Sequence, residues 1–203
     1  MALGKNFQAH AEEFSEEVPE EPLFFNKVSE GLCGHNHEVS PPAGYADRLD
    51  HEVELAVIIA TRAENVAPKD SFQHVAGYSV ANDLTLRTFQ GRDREKQYPW
   101  FRSKNFANSC PMGPCFVPEN YLNSAELGIR ARVNGEVRQE ANTRDMVVSV
   151  AKAISYLSAH MPLNPGDVIL MGTPSGVGPL NDGDVVECEI DGIGCLRNTL
   201  RRS

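Results

Sequence analysis

The segment Glu52-Val-Glu-Leu-Ala-Val-Ile-Ile-Ala60 constrains the fold of this chain most. Its β-branched and apolar residues define a strand, which ends before polar Thr61-Arg62-Ala63-Glu64-Asn65. Period-two alternation puts Val53, Leu55, Val57 and Ile59 on one face and Glu52, Glu54, Ala56 and Ile58 on the other. A strand apolar on both faces belongs inside a sheet and takes its two carboxylates with it. Unpaired carboxylates in a core are costly. Either the acids stand at a solvated strand end, the ordinary fate of a Glu-x-Glu pair, or a cation meets them. With Cα atoms about 6.5 to 7 Å apart on one face, they can bracket one. Oxygen ligands suit a hard divalent ion, which would want a third carboxylate.

Other elements follow from their punctuation. Good helix formers over Gln8 to Glu17 favour a short helix stopped by Pro19. The acid run Glu12, Glu13, Glu16, Glu17, Glu20, Glu21 reads as a solvated surface. Residues 23–37 are irregular or short strand, broken by Gly31 and Gly34, and Pro41-Pro42-Ala43-Gly44 is a loop. A second strand is predicted over His74 to Asn82, and Trp100 to Phe106 reads as an aromatic, basic active-site loop or short strand. Asn134-Gly135 accepts the positive φ angles of a type I′ turn and joins residues 129–133 to 136–139 as a hairpin. Met146, Val147, Val150, Ile154 and Leu157 recur at helical spacing after Thr143 as cap, predicting a helix over residues 144–160 that ends at Pro162. Val168 to Met171 forms a strand, Gly172 to Gly178 a glycine-rich loop, and Asp184 to Ile190 pairs across Asp191-Gly192 with residues 193–200. Many strands with one good helix give a mainly antiparallel β architecture with added α, an α+β class.

At 203 residues the chain fits one compact domain, residues 1–203. Its net charge of −9 opposes a phosphate-backbone footprint, so no nucleic-acid partner is expected. No apolar run approaches the ~20 residues that span a bilayer, so no membrane partner is expected either. Five cysteines without a Cys-x-x-Cys pair fit reduced thiols and a cytoplasmic compartment, with an organelle matrix as the alternative.

Asp83, ending the apolar run Gly77 to Asp83, is the natural third carboxylate beside Glu52 and Glu54, a helix cap being the plainer alternative. His10 and Glu13 stand three apart, so a helix makes them neighbours and Glu13 could orient His10 as a general base; an exposed helical pair is the plainer reading. His35-Asn36-His37 lacks further ligands at metal spacing and is a weak zinc motif. Gly172-Thr-Pro-Ser-Gly-Val-Gly178 is neither a P-loop nor a dinucleotide fingerprint, but its Thr173 and backbone N–H groups could meet a carboxylate.

Taken together, these segments resemble the fumarylacetoacetate hydrolase family, specifically its short single-domain acylpyruvases and oxaloacetate decarboxylases. Gly4-Lys5-Asn6-Phe7 with His10 and Glu13 looks like the family's Gly-x-Asn-Tyr and His-x-x-Glu segment; His51-Glu52-Val53-Glu54-Leu55 looks like its metal-binding strand. Gly77 to Asp83 with Arg87 and Gln90 resembles the third-ligand motif, and Pro99-Trp100 with Lys104, and the Gly172 to Gly178 loop, resemble its substrate-binding segments. Phe7 replaces the usual Tyr, Val28 follows Lys27 where Pro is favoured, and a strand ahead of Gly4 is expected to be lacking. The resemblance implies a mixed β-roll or barrel with short helices, a homodimer, and Mg²⁺ or Mn²⁺ held by Glu52, Glu54 and Asp83. It implies His10, Glu13 and Lys104 as catalytic and Arg87, Gln90 and Thr173 as substrate-binding. The expected reaction is C–C hydrolysis of an acylpyruvate such as fumarylpyruvate, or oxaloacetate decarboxylation, through a pyruvate enolate stabilised by the metal. Isomerisation or tautomerisation on the same site is the alternative, and a catalytically silent 2-oxo acid binding protein is the alternative of another class.

Overall fold

The strand carrying the two acids is central, as its sequence demands. In the computed structural model, which describes residues 1–13 and 19–202, Val53–Ile59 pairs antiparallel with Val75–Asn82 on one side and Val168–Leu170 on the other. The sheet extends through Ala2–Gly4 to Leu23–Phe25, and through Cys110–Pro118 to Leu32–Cys33, giving seven strands. A five-stranded sheet runs in the order Glu136–Asn142, Gly128–Val133, Val185–Ile190, Gly194–Leu200, Glu38–Val39. Three short strands, Gly178–Pro179, Leu49–His51 and Thr85–Leu86, form a third sheet next to the acids. Most pairings are antiparallel, and the curled sheets with short helices are the expected mixed β-roll.

The two strand faces separate as expected. Val53, Leu55, Val57 and Ile59 join the main core with Tyr78, Val80, Ile129, Ile154 and Ile169. On the acids' face Ala56 meets small neighbours, Ala2 and Ala81, with Cys110 and Leu170. The Asn134-Gly135 hairpin forms with φ of 53° and 82°, the turn geometry read from the sequence.

Several elements differ from expectation. The helix read over residues 144–160 starts later, at Val150, and runs to His160, capped by the Ser149 hydroxyl accepting from Lys152 N–H. Thr143 is no helix cap; its buried hydroxyl accepts from Leu127 N–H, within a 3₁₀ turn whose capping box is made by Asn142 and Asp145. The Trp100 stretch is neither loop nor strand but the one-turn helix Phe101–Lys104. Arg87–Glu95 is a helix and Cys110–Pro118 a strand, both unforeseen. The first helix spans Gln8–Glu13; the remainder of its predicted extent, and Glu16 and Glu17 of the acid run, lie outside the described residues. His35 and His37 are exposed in a turn at Asn36 with φ 62°, and His35 Nδ1 accepts from Arg197 N–H, so nothing there gathers metal ligands.

Candidate active site and metal centre

Glu52 sits at the break between Leu49–His51 and Val53–Ile59, two positions before Glu54, and Asp83 follows the last residue of the neighbouring strand. The register pairs Val53 with Asn82, and Asp83 N–H donates to Glu52 O at 2.8 Å. Pairing alone therefore brings the third acid beside the other two. Ligand oxygens of Glu52, Glu54 and Asp83 lie within 4.8 Å of one another, and all three residues are buried.

Cations hold this cluster unequally. Lys104 Nζ donates to Glu52 Oε2 at 2.7 Å, Asp83 Oδ2 at 2.6 Å and Thr85 Oγ1 at 2.7 Å, which uses its three protons. Arg87 Nη2 donates to Glu52 Oε1 at 2.7 Å, its Nε to Asp50 Oδ2 at 2.8 Å and its Nη1 to Gln90 Oε1 at 2.6 Å. Lys27 Nζ lies 2.8 Å from Asp83 Oδ1 as an ion pair, while its hydrogen bonds go to Lys104 O, Ser109 O and Ser109 Oγ; Asp83 Oδ1 itself accepts none. Burial pushes the Glu52 carboxyl up, but Lys104 and Arg87 override it and hold it well below the usual range. Glu54 has the opposite fate: burial first, then the charges of Asp83 and Glu52, push it well up, against one hydrogen bond from Gly172 N–H at 2.6 Å.

That imbalance is what a divalent cation would correct. Glu54 is a buried acid with no cation of its own, Asp83 Oδ1 lacks a hydrogen bond, and every donor is a carboxylate oxygen, so the residues fit a hard ion such as Mg²⁺ or Mn²⁺. The five cysteines offer no rival chemistry: Cys110 and Cys188 are buried, burial lifting the Cys110 thiol to about 12, and none lines the cavity.

The cluster forms the inner end of a cavity of about 260 Å³. His10, Arg87, Gln90, Lys104 and Thr173 line it with Glu52 and Glu54, so seven of the nine sequence-assigned residues share one wall system; Asp83 and Glu13 stand directly behind it. His10 Nδ1 meets Glu13 Oε2 at 3.2 Å. Burial lowers the His10 pKa, only partly opposed by Glu52 and Glu13, so the ring is neutral near pH 7. Glu13 is tied down by Gly176 N–H, 3.2 Å from both its oxygens.

Two glycines of the 172–178 loop make these contacts possible. Gly172 has φ +87° and a Cβ there would lie 2.7 Å from Asn6 Cβ; Gly176 has φ +96° and a Cβ would lie 1.9 Å from Arg138 O. Only glycine places these N–H groups against Glu54 and Glu13. Asn6 completes the support, donating to Met171 O at 2.7 Å and Val148 O at 3.0 Å, and accepting from Val148 N–H at 2.7 Å.

Sequence reasoning missed Lys27, Asp50, His51 and Gln139. Buried Gln139 links four groups: Oε1 accepts from Val53 N–H at 3.2 Å and faces His51 Nδ1 at 3.0 Å, while Nε2 donates to Thr173 Oγ1 at 2.7 Å and Pro174 O at 2.8 Å. With Oε1 an acceptor, His51 must carry its proton on Nδ1. The Thr173 hydroxyl, already accepting from Gln139, keeps its own proton for a cavity ligand.

A curled mixed β-roll with three buried acids at the end of one cavity defines the class of fold, and comparison with known proteins gives the family. The profile of the fumarylacetoacetate (FAA) hydrolase C-terminal region matches residues 1–201, and the chain belongs to that family. Among relatives, it is 38% identical over 204 residues to the mitochondrial oxaloacetate tautomerase FAHD1 of Mus musculus, covering 100% of this chain and 91% of that protein. Among solved structures, fumarylpyruvate hydrolase from Pseudomonas aeruginosa, in complex with Mn²⁺ and pyruvate, superposes with a TM-score of 0.94 at 32% identity, covering 100% of this chain and 88% of that one. The 5-carboxymethyl-2-hydroxymuconate delta-isomerase from Mycobacterium smegmatis gives 0.90 at 39% identity, covering 100% and 78%.

Proposed function

We propose that this protein is a divalent-metal-dependent enzyme acting on small 2-oxo acids, hydrolysing the C–C bond of acylpyruvates such as fumarylpyruvate. The carrying observation is the convergence of Glu52, Glu54 and Asp83 within 4.8 Å at the end of a cavity that also presents a neutral, carboxylate-oriented His10. Mg²⁺ or Mn²⁺ on the three acids would supply Lewis acidity toward the substrate's 2-oxo group and the enolate that forms from it. Arg87 and Gln90 flank the substrate carboxylate, and Thr173 donates its hydroxyl proton. Lys104, its protons spent on Glu52, Asp83 and Thr85, keeps the acids in place and adds positive charge beside the ligand.

His10 donates Nδ1–H to Glu13, which leaves Nε2 to take a proton from water as the oxygen attacks the distal carbonyl. The C–C bond then breaks with its electron pair on the pyruvate fragment, and the imidazolium returns the proton to that carbon. A bare 2-oxo acid binding site would need no such dyad, which counts against a silent binding protein.

Keto–enol tautomerisation of oxaloacetate is the second reading, favoured by relatives named oxaloacetate tautomerase at 37 to 38% identity. It needs the same dyad to move a proton but no attack by water; decarboxylation needs neither. An assay of acylpyruvates, oxaloacetate and hydroxymuconate-type diacids, with Mg²⁺ or Mn²⁺ and after verified metal removal, tests the proposal. Metal-dependent cleavage of an acylpyruvate is the expected result, and full turnover by the stripped protein refutes it.

The homodimer belongs to the same proposal. Among the aromatic side chains, Trp100 packs edge-on to Phe25 and Phe106 packs against the core, while Phe101, Phe116 and Tyr121 are exposed and offer apolar surface to a second copy. A monomer mass by light scattering at micromolar concentration would overturn it. No described helix is long and apolar enough to cross a membrane. The cytoplasm or an organelle matrix is the proposed compartment.

A further inference from the structure

Arg87 holds two acids, and only one of them belongs to the cluster. It opens the helix Arg87–Glu95, whose Arg87, Gln90, Gly91 and Arg94 line the cavity. Its Nη2 donates to Glu52 Oε1 at 2.7 Å and its Nε to Asp50 Oδ2 at 2.8 Å. Glu52 is one of the three acids that fit a divalent ion, whereas Asp50 is wholly buried and lies outside both the cluster and the cavity wall. A buried carboxylate away from the site stands only on its cationic partners.

The second partner is another arginine. Arg48 grips Asp50 with both arms of its fork, Nε to Oδ1 at 2.7 Å and Nη2 to Oδ2 at 2.9 Å, so Asp50 Oδ2 accepts from Arg48 and Arg87 at once. Strand pairing sets this up. Leu49–His51 runs antiparallel to Thr85–Leu86, with Leu49 opposite Leu86 and Asp50 opposite Thr85, and one step further Arg87 N–H donates to Arg48 O at 2.9 Å. Like charges at facing positions repel, and the carboxylate between the two arginines makes the arrangement tenable. The Arg48 side chain is 47% exposed and that of Arg87 15%. A line of charges therefore runs from solvent through Asp50 and Arg87 to Glu52.

This line divides one buried positive charge between two acids. A guanidinium drawn wholly onto Glu52 would occupy that carboxylate's lone pairs and set a positive charge against a cation binding there. Asp50 draws Arg87 the other way. Arg48 competes with Arg87 for Asp50 and so acts in the opposite sense. We propose that Asp50 and Arg48 are positioning residues that set the divalent-cation affinity of Glu52 through Arg87, Asp50 raising it and Arg48 lowering it. This rests on the metal reading of the three acids and extends it to a side chain outside the cavity.

Calorimetric titration of the metal-stripped full chain with Mn²⁺ tests it. Asp50→Asn removes the charge that shares Arg87 and should weaken Mn²⁺ about tenfold, the scale of one hydrogen bond to a charged group. Arg48→Met lets Asp50 take Arg87 with both oxygens and should tighten Mn²⁺ about fivefold, the upper worth of a half-exposed ion pair. Asp50 keeps Arg87 as its counter-charge in that variant, so the test stands even where Asp50→Asn fails to fold. Loss of a positive charge would by itself favour a cation, so Arg48→Met is repeated in an Arg87→Met background. There its effect should shrink to within about twofold, because the residue it acts through is gone. An undiminished gain in that background, a folded Asp50→Asn that binds Mn²⁺ as tightly as wild type, or Arg48→Met alone binding it no tighter, overturns the relay while the metal reading stands. If the wild type takes up no Mn²⁺, the metal reading falls and the relay with it.

Discussion

The two ends of the cavity are built from different material. At the inner end, strand pairing places the acids: Val53 opposite Asn82 fixes Glu52, Glu54 and Asp83, and buried Lys104 and Lys27 lock them. At the outer end, Lys5, Arg94, His10 and Glu13 come from short helices and a turn with exposed neighbours. A deep, register-fixed end suits chemistry shared by a whole family, whereas a wall of separate short elements can vary in what it admits. Relatives named as tautomerase, hydrolase and isomerase on one fold are consistent with that division.

The sharpest way to break the comparison lies among the acids themselves, which the structure treats as unequal. Asp83→Asn strips Lys104 and Lys27 of a buried counter-charge and should cost about 3 to 5 kcal/mol, lowering Tm by on the order of 10 °C. Glu54→Gln should instead leave the metal-free protein as stable as wild type or more so, because it removes a carboxylate that burial and its neighbours disfavour and keeps an oxygen for Gly172 N–H. Both substitutions should weaken Mg²⁺ and Mn²⁺ binding strongly. Thermal unfolding in chelator separates them, and equal losses of Tm would show that the acids are equivalent after all.

At the outer end, His10→Ala should lower acylpyruvate hydrolysis by about 10² to 10⁴ in kcat with metal affinity unchanged, the usual worth of a general base. Any oxaloacetate decarboxylation should survive in part. Glu13→Gln should act in the same direction more mildly, since it keeps a hydrogen bond but loses the charge. Wild-type hydrolysis by His10→Ala would reduce the dyad to a surface pair. Because burial lowers the His10 pKa, the acid limb of kcat/KM should fall below the ordinary imidazole value of 6.5. Stability follows the same sign. His10 and His51 are both lowered by burial, so between 6.5 and their folded values the unfolded chain binds more protons. Their contribution is complete above 6.5 and is lost as the pH falls through the folded values. A thermal midpoint rising on acidification through that window would contradict it.

The inner end was legible because its chemistry lies on local patterns: two acids at period two and a third at a strand end. The helix Arg87–Glu95 was not, because its stripe of Arg, Gln, Gly and Arg faces a polar cavity rather than the core, so no apolar periodicity marks it. Cys110–Pro118 hid behind Pro111, Pro114 and Pro118. Pro114 and Pro118 are tolerated because Leu32–Cys33 pairs only with Cys110 and Pro111 and leaves the rest of that strand as an edge. Ser149 displaced Thr143 as helix cap because Met146 and Val147 keep the helical apolar spacing while lying in the non-helical link between the 3₁₀ turn Thr143–Asp145 and the helix, which the pattern alone cannot distinguish. Gln139 lies 34 residues from Thr173 and 88 from His51 in sequence, and only the closed fold brings them together.

Gln139 supplies the finest distinction between the ends, because it joins the strand of the acids to the loop that faces the ligand. Its amide leaves Thr173 with a proton to give. Gln139→Glu keeps the shape but inverts that polarity: a carboxylate can only accept, so the Thr173 hydroxyl would turn its proton to residue 139 and its lone pairs to the substrate carboxylate. KM for a 2-oxo acid should rise about tenfold, the scale of one hydrogen bond to a charged group, while kcat and metal affinity change little. Thr173→Val should raise KM similarly, and adding Gln139→Glu to it should bring little more, since the proton being directed is already gone. Raising KM in the Thr173→Val background as much as in wild type would mean that Gln139 acts on the sheet through Val53 and not on the ligand through Thr173. The link between the two ends would then be a matter of packing, with no part in recognition.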